Sequence, residues 1–337
     1  MKKFLALICI FFVLPLGGCK KDFHSPKQGV VKDFGDGILV EKDVRYGDPN
    51  VGGDQHLTTF DVYYREEYKN APVIIQVHGG SEYVSDKKGY APNSLEPYIN
   101  EGFVVMSPNY RWSEAPYGWA PHDLACSIAT FRQEAERWGA DPDNIILTGA
   151  SGGAGLTGWL FFRQEYDWLE SCPVKDPLPA FKGYIDKSGF AMHVPHPPDI
   201  EVEYVEHGTR WVLNEEVIAS PEFEWSKERY GENPNSEIDF ENITAGNLVM
   251  DGMLNHIDPS DGPVMLVYGA ADEHWGDVPN GDYPKLFIKL LEDNGIEYKY
   301  FNAPNRGHGM KVADVPEVEE AVIEYIHAMA NDEPFPF

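Results

Sequence analysis

The chain has 337 residues, 42% of them hydrophobic and 13% aromatic, enough to fill a sizeable core and to exclude a disordered chain. Its 55 acidic residues outnumber 27 basic ones and leave a formal net charge of −28. That excess argues against nucleic acid or an anionic bilayer surface as partner, because both are held by basic patches, and it reads as a solvated acidic exterior.

The first residues point to export. Lys2 and Lys3 form a basic n-region, and Phe4 to Leu16 is a short apolar stretch, too short for a comfortable membrane-spanning helix. Leu16-Gly17-Gly18-Cys19 then resembles the lipobox of bacterial lipoproteins, where cleavage before the cysteine accompanies lipidation of its sulfur. The expectation is a signal peptide over residues 1–18 and a lipid anchor on Cys19, followed by a polar tether over residues 19–36. The anchor would hold the protein to the periplasmic or cell-surface face of a bacterial membrane. An ordinary secretory peptide with an unlipidated Cys19 is the alternative. Cys126 and Cys172 then remain in an oxidising compartment, where a disulfide is allowed, although two buried free thiols are the preferred reading. No C-x-x-C or histidine cluster suggests a metal, and His193 and His196 fall in a proline-rich stretch, HVPHPP, that is read as loop.

A catalytic domain is expected over residues 37–333. ILVEKDVRYG and DQHLTTFDVYY flank a GDPNVGGD turn and predict an antiparallel hairpin that opens a sheet. Ala71 to Val77 is a buried run ending in His78-Gly79-Gly80, and Gly102 to Ser107 is another, with SLEPYINEG between them as a glycine-terminated helix. Pro121 to Trp138 predicts an amphipathic helix presenting Leu124, Ile128, Phe131 and Ala135 to the core. Asn144 to Thr148 is a short apolar strand that runs through Gly149-Ala150-Ser151-Gly152-Gly153 into a helix, GLTGWLFFRQE. Phe181–Phe190, Val264–Tyr268 and Tyr298–Asn302 supply later strands, with helices over Tyr283–Asn294 and Glu317–Met329. Strands alternating with helices from residue 71 onward predict an α/β fold, a mostly parallel sheet covered on both faces. Residues 191–260 break this rhythm, rich in Pro, Glu and Asn with scattered aromatics. They read as an insertion over the carboxyl edge of the sheet, a lid or part of a substrate pocket.

The chemistry centres on NIILTGASGG. A strand, a sharp turn with a serine at its tip and a helix make a nucleophile elbow. The serine sits in a strained backbone conformation, so the residues two before and two after it must be small; here both are glycine. A serine hydroxyl is a weak nucleophile and needs a base oriented by a carboxylate. Asp272 stands where the strand VMLVY runs into GAAD, and His308 lies in the Gly-flanked loop after the last strand; Glu273 and Asp277 compete with Asp272 for the carboxylate role. Backbone N–H groups for a developing oxyanion would come from Gly152, directly after the serine, and from Gly80 and Ser81 after the 71–77 strand. His78, with Gly79 beside it, is read as bracing that loop and not as a base.

The order HGG, NYRWSEAPYGWAPHD, GASGG, GAAD, GHG resembles the α/β-hydrolase superfamily over roughly residues 38–330. Within it the chain is similar to the esterase/lipase branch that holds hormone-sensitive lipase and carbohydrate esterases of gut and marine bacteria. The resemblance implies Ser151, Asp272 and His308 as a triad, Gly80, Ser81 and Gly152 as oxyanion donors, and Asp123 as a brace for the loop before its helix. The branch usually carries a third glycine and an aromatic where this chain has Ser81 and Glu82. The implied activity is hydrolysis of short-chain or carbohydrate-linked (acetyl or feruloyl) esters, with no cofactor or metal. A serine peptidase or amidase of the same fold and a non-catalytic binding lipoprotein are the rival readings.

Overall fold

A computed structural model describes residues 29–47, 56–80, 85–89, 92–111, 119–164, 166–169, 172–189, 202–205, 208–213, 219, 246–251, 253–272 and 283–337. The anchor residue Cys19 and the expected signal peptide lie outside them. Among the described residues no helix is long and apolar enough to cross a membrane.

The hairpin comes first, β2 (Leu39–Arg45) pairing antiparallel with β3 (Thr59–Tyr64). An additional strand, β1 (Val30–Asp33), pairs with the outer side of β2 and falls within the stretch read as tether. Its four residues are all exposed, so no buried apolar alternation marks it in the sequence. Next come β4 (Ala71–Val77), α1 (Pro92–Asn100), β5 (Val104–Pro108), α2 (Trp119–Glu134), β6 (Ala140–Ala150) and α3 (Gly152–Phe162). After them follow β7 (Gly183–Lys187), β8 (Val202–Val205), β9 (Gly208–Leu213), β10 (Gly246–Asp251), β11 (Val264–Gly269), α4 (Tyr283–Asp293), β12 (Tyr298–Ala303) and α5 (Pro316–Ala330).

Nine strands form one sheet in the order β1-β2-β3-β5-β4-β6-β7-β11-β12. It is parallel from β5 to β12 and antiparallel at the β1–β3 edge. Alternate residues of the central strands feed two apolar layers. Val73, Ile75 and Val77 of β4 pack with α2, α3 and α4, whereas Ile74 packs with α1 and α5. Leu124, Ile128, Phe131 and Ala135 are all buried, as the periodicity of α2 requires. The helix α3 is buried on every side, not only on the face of Leu156, Leu160 and Phe161, because its glycines and alanines admit close neighbours all round.

One expectation about the cysteines changes. Cys126 of α2 and Cys172 are joined by a disulfide, their Cα atoms 5.2 Å apart, where free thiols were preferred. The loop after α3 returns along α2, with the His122 ring bonded to the Trp168 carbonyl at 2.8 Å, and this packing brings the two cysteines together. In the stretch 191–260, β8, β9 and β10 form a separate antiparallel sheet, and Met253 and Ile257 belong to the core against α3. His193 and His196 lie outside the described residues, as does most of the rest of that stretch.

Candidate active site

β6 delivers Ser151 at the carboxyl edge of the sheet, and α3 leaves from it. Ser151 has φ +53° and ψ −127°, a conformation that costs a non-glycine residue roughly 1–3 kcal/mol and must be held by its surroundings. Its N–H donates to the Lys187 carbonyl at 3.0 Å, and its own carbonyl accepts the Ala154 N–H at 2.9 Å. The flanking glycines are steric necessities. A Cβ on Gly149 would stand 2.2 Å from the Gly153 carbonyl oxygen, and one on Gly153 would stand 2.3 Å from that of His78. Gly79 packs against the elbow in the same way, 2.7 Å from the Ala150 carbonyl if it carried a Cβ.

Asp272 follows β11 and its carboxylate is fully buried. The two loops that matter are laced together: Ala271 N–H donates to Arg306 carbonyl at 2.8 Å, and Ala270 N–H to Ala303 carbonyl at 2.9 Å. His308 therefore falls over the elbow. Its Nδ1 is 2.9 Å from Asp272 Oδ2 and its Nε2 is 2.9 Å from Ser151 Oγ. A carboxylate only accepts, so Nδ1 carries the proton, and the bare Nε2 faces the serine hydroxyl. Three side chains from three strand ends, 36 and 157 residues apart, thus form one hydrogen-bonded line. The competitors Glu273 and Asp277 lie outside the described residues.

Gly152 opens α3, so its N–H is among those left free at a helix start, with the positive dipole end beside it. Gly80 has φ +115°, which its lack of a side chain permits, while Ser81 lies outside the described residues. His78 is buried, stacks on Tyr110 with ring centres 4.5 Å apart, and donates from Nδ1 to the Gly79 carbonyl at 2.8 Å. Burial holds its pKa below the ordinary imidazole value, so it stays neutral, and Tyr110 Oη donates to its carbonyl at 3.0 Å. Asp123 of α2 accepts from the Arg111 backbone at 2.9 Å and from its guanidinium at 2.8 and 2.6 Å, fixing the segment after β5. Among the described residues no group of three or more His, Cys, Asp or Glu could hold a metal ion.

Sequence reasoning passed over two buried ionisable residues at the end of β7. Asp186 is fully buried, and burial pushes its pKa up to about 6 against the bonds it accepts from the Gly189 N–H and the Tyr184 hydroxyl. Lys187 is 8% exposed, and its Nζ donates to Gln76 Oε1. The signal was present in FKGYIDKSGF, where two charges end an otherwise apolar core strand.

The BD-FAE family matches residues 60–173, from β3 through α3 to Cys172 and its neighbour. Esterase LipQ of Mycobacterium tuberculosis is 34% identical over 120 residues, which is 34% of this chain and 27% of the relative. That match takes in about a quarter of the relative's own length. A structure described as a truncated form of carbohydrate esterase from gut microbiota superposes with a TM-score of 0.59 at 17% identity, covering 91% of this chain and 99% of that one. Esterase B from Lactobacillus rhamnosis gives 0.60 at 18% identity, covering 88% and 87%. At such identities the likeness is one of fold, and the fold is that of the α/β-hydrolases.

Proposed function

We propose that this chain is a serine carboxylic-ester hydrolase that works through an acyl-enzyme. The observation that carries the reading is the hydrogen-bonded line Ser151–His308–Asp272 on a strained elbow. His308 Nε2 takes the Ser151 proton as Oγ attacks the ester carbonyl, and the buried Asp272 carboxylate steadies the imidazolium. The N–H groups of Gly152, Gly80 and Ser81 receive the oxyanion. The imidazolium then protonates the leaving alcohol, and water activated by the same histidine releases the acid. The chemistry calls for no cofactor or metal.

The esterase names of the partial relatives and of the neighbours of similar fold support this class. Short-chain or carbohydrate-linked acetyl and feruloyl esters are the proposed substrates. The support is the polar make-up of residues 191–260, ill suited to an insoluble lipid, and the fold shared with a carbohydrate esterase. Attachment to a membrane through lipid on Cys19 belongs to the same proposal and rests on the sequence around it.

Hydrolysis of p-nitrophenyl acetate by the full-length protein, beside its Ser151→Ala variant, tests the proposal. The variant should lose at least about 10⁴-fold in kcat while remaining folded. A folded wild type that neither turns over the ester nor reacts with a fluorophosphonate would end the esterase reading. Acetylated and feruloylated saccharides would then separate the substrate classes.

A further inference from the structure

Among the described residues, buried Lys187 has no carboxylate as a side-chain hydrogen-bond partner, and its backbone holds the elbow. Its carbonyl accepts the N–H of Ser151 at 3.0 Å and so holds the strained turn. Its side chain lies on the face of the sheet shared by Ile185 of its own strand and Ile74 of β4, and there Nζ donates to Gln76 Oε1. β6 runs between β7 and β4, so this bond spans the strand that carries the serine. Gln76 is 1% exposed and stands two residues before His78, at the root of the loop that bears Gly79 and Gly80. The two strand ends are also in contact, since Gly153 and Gly79 leave no room for a Cβ between the elbow and β4.

We infer that Lys187 is a positioning residue, whose bond to Gln76 sets the spacing between the serine elbow and the loop of oxyanion donors. The inference rests on the esterase reading. An ammonium held by one neutral amide in an apolar layer costs stability, so packing alone does not account for a lysine at this position. A bond that keeps backbone donors within a fraction of an ångström of the oxyanion contributes to the transition state and little to ground-state binding.

The charge on Lys187 gives the bond a pH dependence. Burial lowers its pKa from the ordinary 10.5 to about 7. The buried titratable side chains in the layer that Lys187 shares are Tyr63 of β3, Tyr98 of α1 and Tyr325 of α5, whereas Asp186 and Tyr268 meet each other on the opposite face of the sheet. None of them offsets the burial. The protonated amine makes the stronger, charge-assisted bond to Gln76, so kcat falls as pH rises through this titration.

The test measures kcat and KM of the full-length protein on p-nitrophenyl acetate from pH 5.5 to 9.5, with thermal midpoints, for the wild type, Lys187→Met and Gln76→Glu. Lys187→Met is expected to lose roughly 10- to 100-fold in kcat, to keep KM within about 2-fold, and to hold or raise the thermal midpoint. Its profile loses the falling limb. Gln76→Glu places a carboxylate on the amine and moves that limb upward by about one pH unit or more. A Lys187→Met variant that retains kcat overturns the inference, as does one whose lost activity comes with a lowered midpoint while Gln76→Glu leaves the profile in place. An inert wild type removes the esterase reading and this one with it; an active wild type beside an unaffected Lys187→Met removes this one alone.

Discussion

Among the described residues two lysines are buried at the sheet, and they are held in opposite ways. Lys87, in the turn 87–89 of the loop after β4, has a side chain 1% exposed and sits at the antiparallel edge between Asp61 at 3.0 Å and Asp43 at 2.5 Å. Its N–H also donates to Asn109 Oδ1 at 2.6 Å. Asp43 stands in a bulge of β2 with φ +59°, and its N–H donates to Asp61 at 2.9 Å. Burial works against the charge on Asp43, but Lys87, with His56 and Lys88 beside it, together offset it and hold the carboxyl below the ordinary value. Lys187, in the parallel interior of the sheet beside the elbow, has one amide oxygen where Lys87 has two carboxylates. The lesson is that compensated charge serves as an anchor, whereas a single neutral partner leaves a charge that costs stability and responds to pH.

The sharpest test of this contrast is the pair Lys87→Met and Lys187→Met. Removing Lys87 leaves Asp61, itself 1% exposed, with its counter-ion gone, a loss of roughly 3–5 kcal/mol in urea unfolding. Removing Lys187 should cost nothing in stability. Two variants with losses of equal size would break the comparison, because both lysines would then be acting as packing.

A tie of a different kind gives the scale for that loss. The Cys126–Cys172 disulfide closes a separation of 46 residues and fixes α2, which carries Asp123, to the loop after α3. The double variant Cys126→Ala/Cys172→Ala should lose roughly 2–4 kcal/mol of unfolding free energy. Reducing agent should bring the wild type to the same value and leave the double variant unchanged. A smaller loss from Lys87→Met than from the cysteines would demote the ion cluster from an anchor to a local contact.

What could be read from the sequence follows from how far apart the partners lie. The elbow needs only residues 144–162, and its steric demand for Gly149 and Gly153 is local, so the strand, turn and helix were legible. Asp272 and His308 were legible because each ends an apolar run in a Gly-bearing loop. The antiparallel hairpin and most helices declared themselves by period. The disulfide did not, because the spacing of two cysteines says nothing of a Cα distance set by the return of the 163–174 loop. Gln76 and Lys187 are 111 residues apart and meet only because the sheet order places β6 between their strands. The Lys87 cluster likewise gathers Asp43, Asp61 and Asn109 through that order, and β1 carries no buried face to announce it.

The two regions should also respond to acid with opposite signs, and Asp186 supplies the most specific of these effects. At 0% exposure, its carboxyl is pushed from the ordinary 3.8 up to about 6 by burial. The folded protein therefore keeps a proton that the unfolded chain gives up between about pH 4 and 6, and stability falls as pH rises through that window. The full change is about 3 kcal/mol, since each pKa unit corresponds to roughly 1.4 kcal/mol. At the antiparallel edge Asp43 and Asp86 have lowered values, in both cases because partners overcome the effect of burial. Their contribution is present above the ordinary carboxyl pKa and is lost as pH falls below it, outside the Asp186 window. Urea unfolding at intervals from about pH 2.5 to 7 separates the two. Asp186→Asn keeps an acceptor for the Gly189 N–H and should flatten the decline between pH 4 and 6, while the loss below pH 4 persists. A decline that survives in Asp186→Asn would place the buried proton elsewhere and leave the parallel part of the sheet without its acid-side signature.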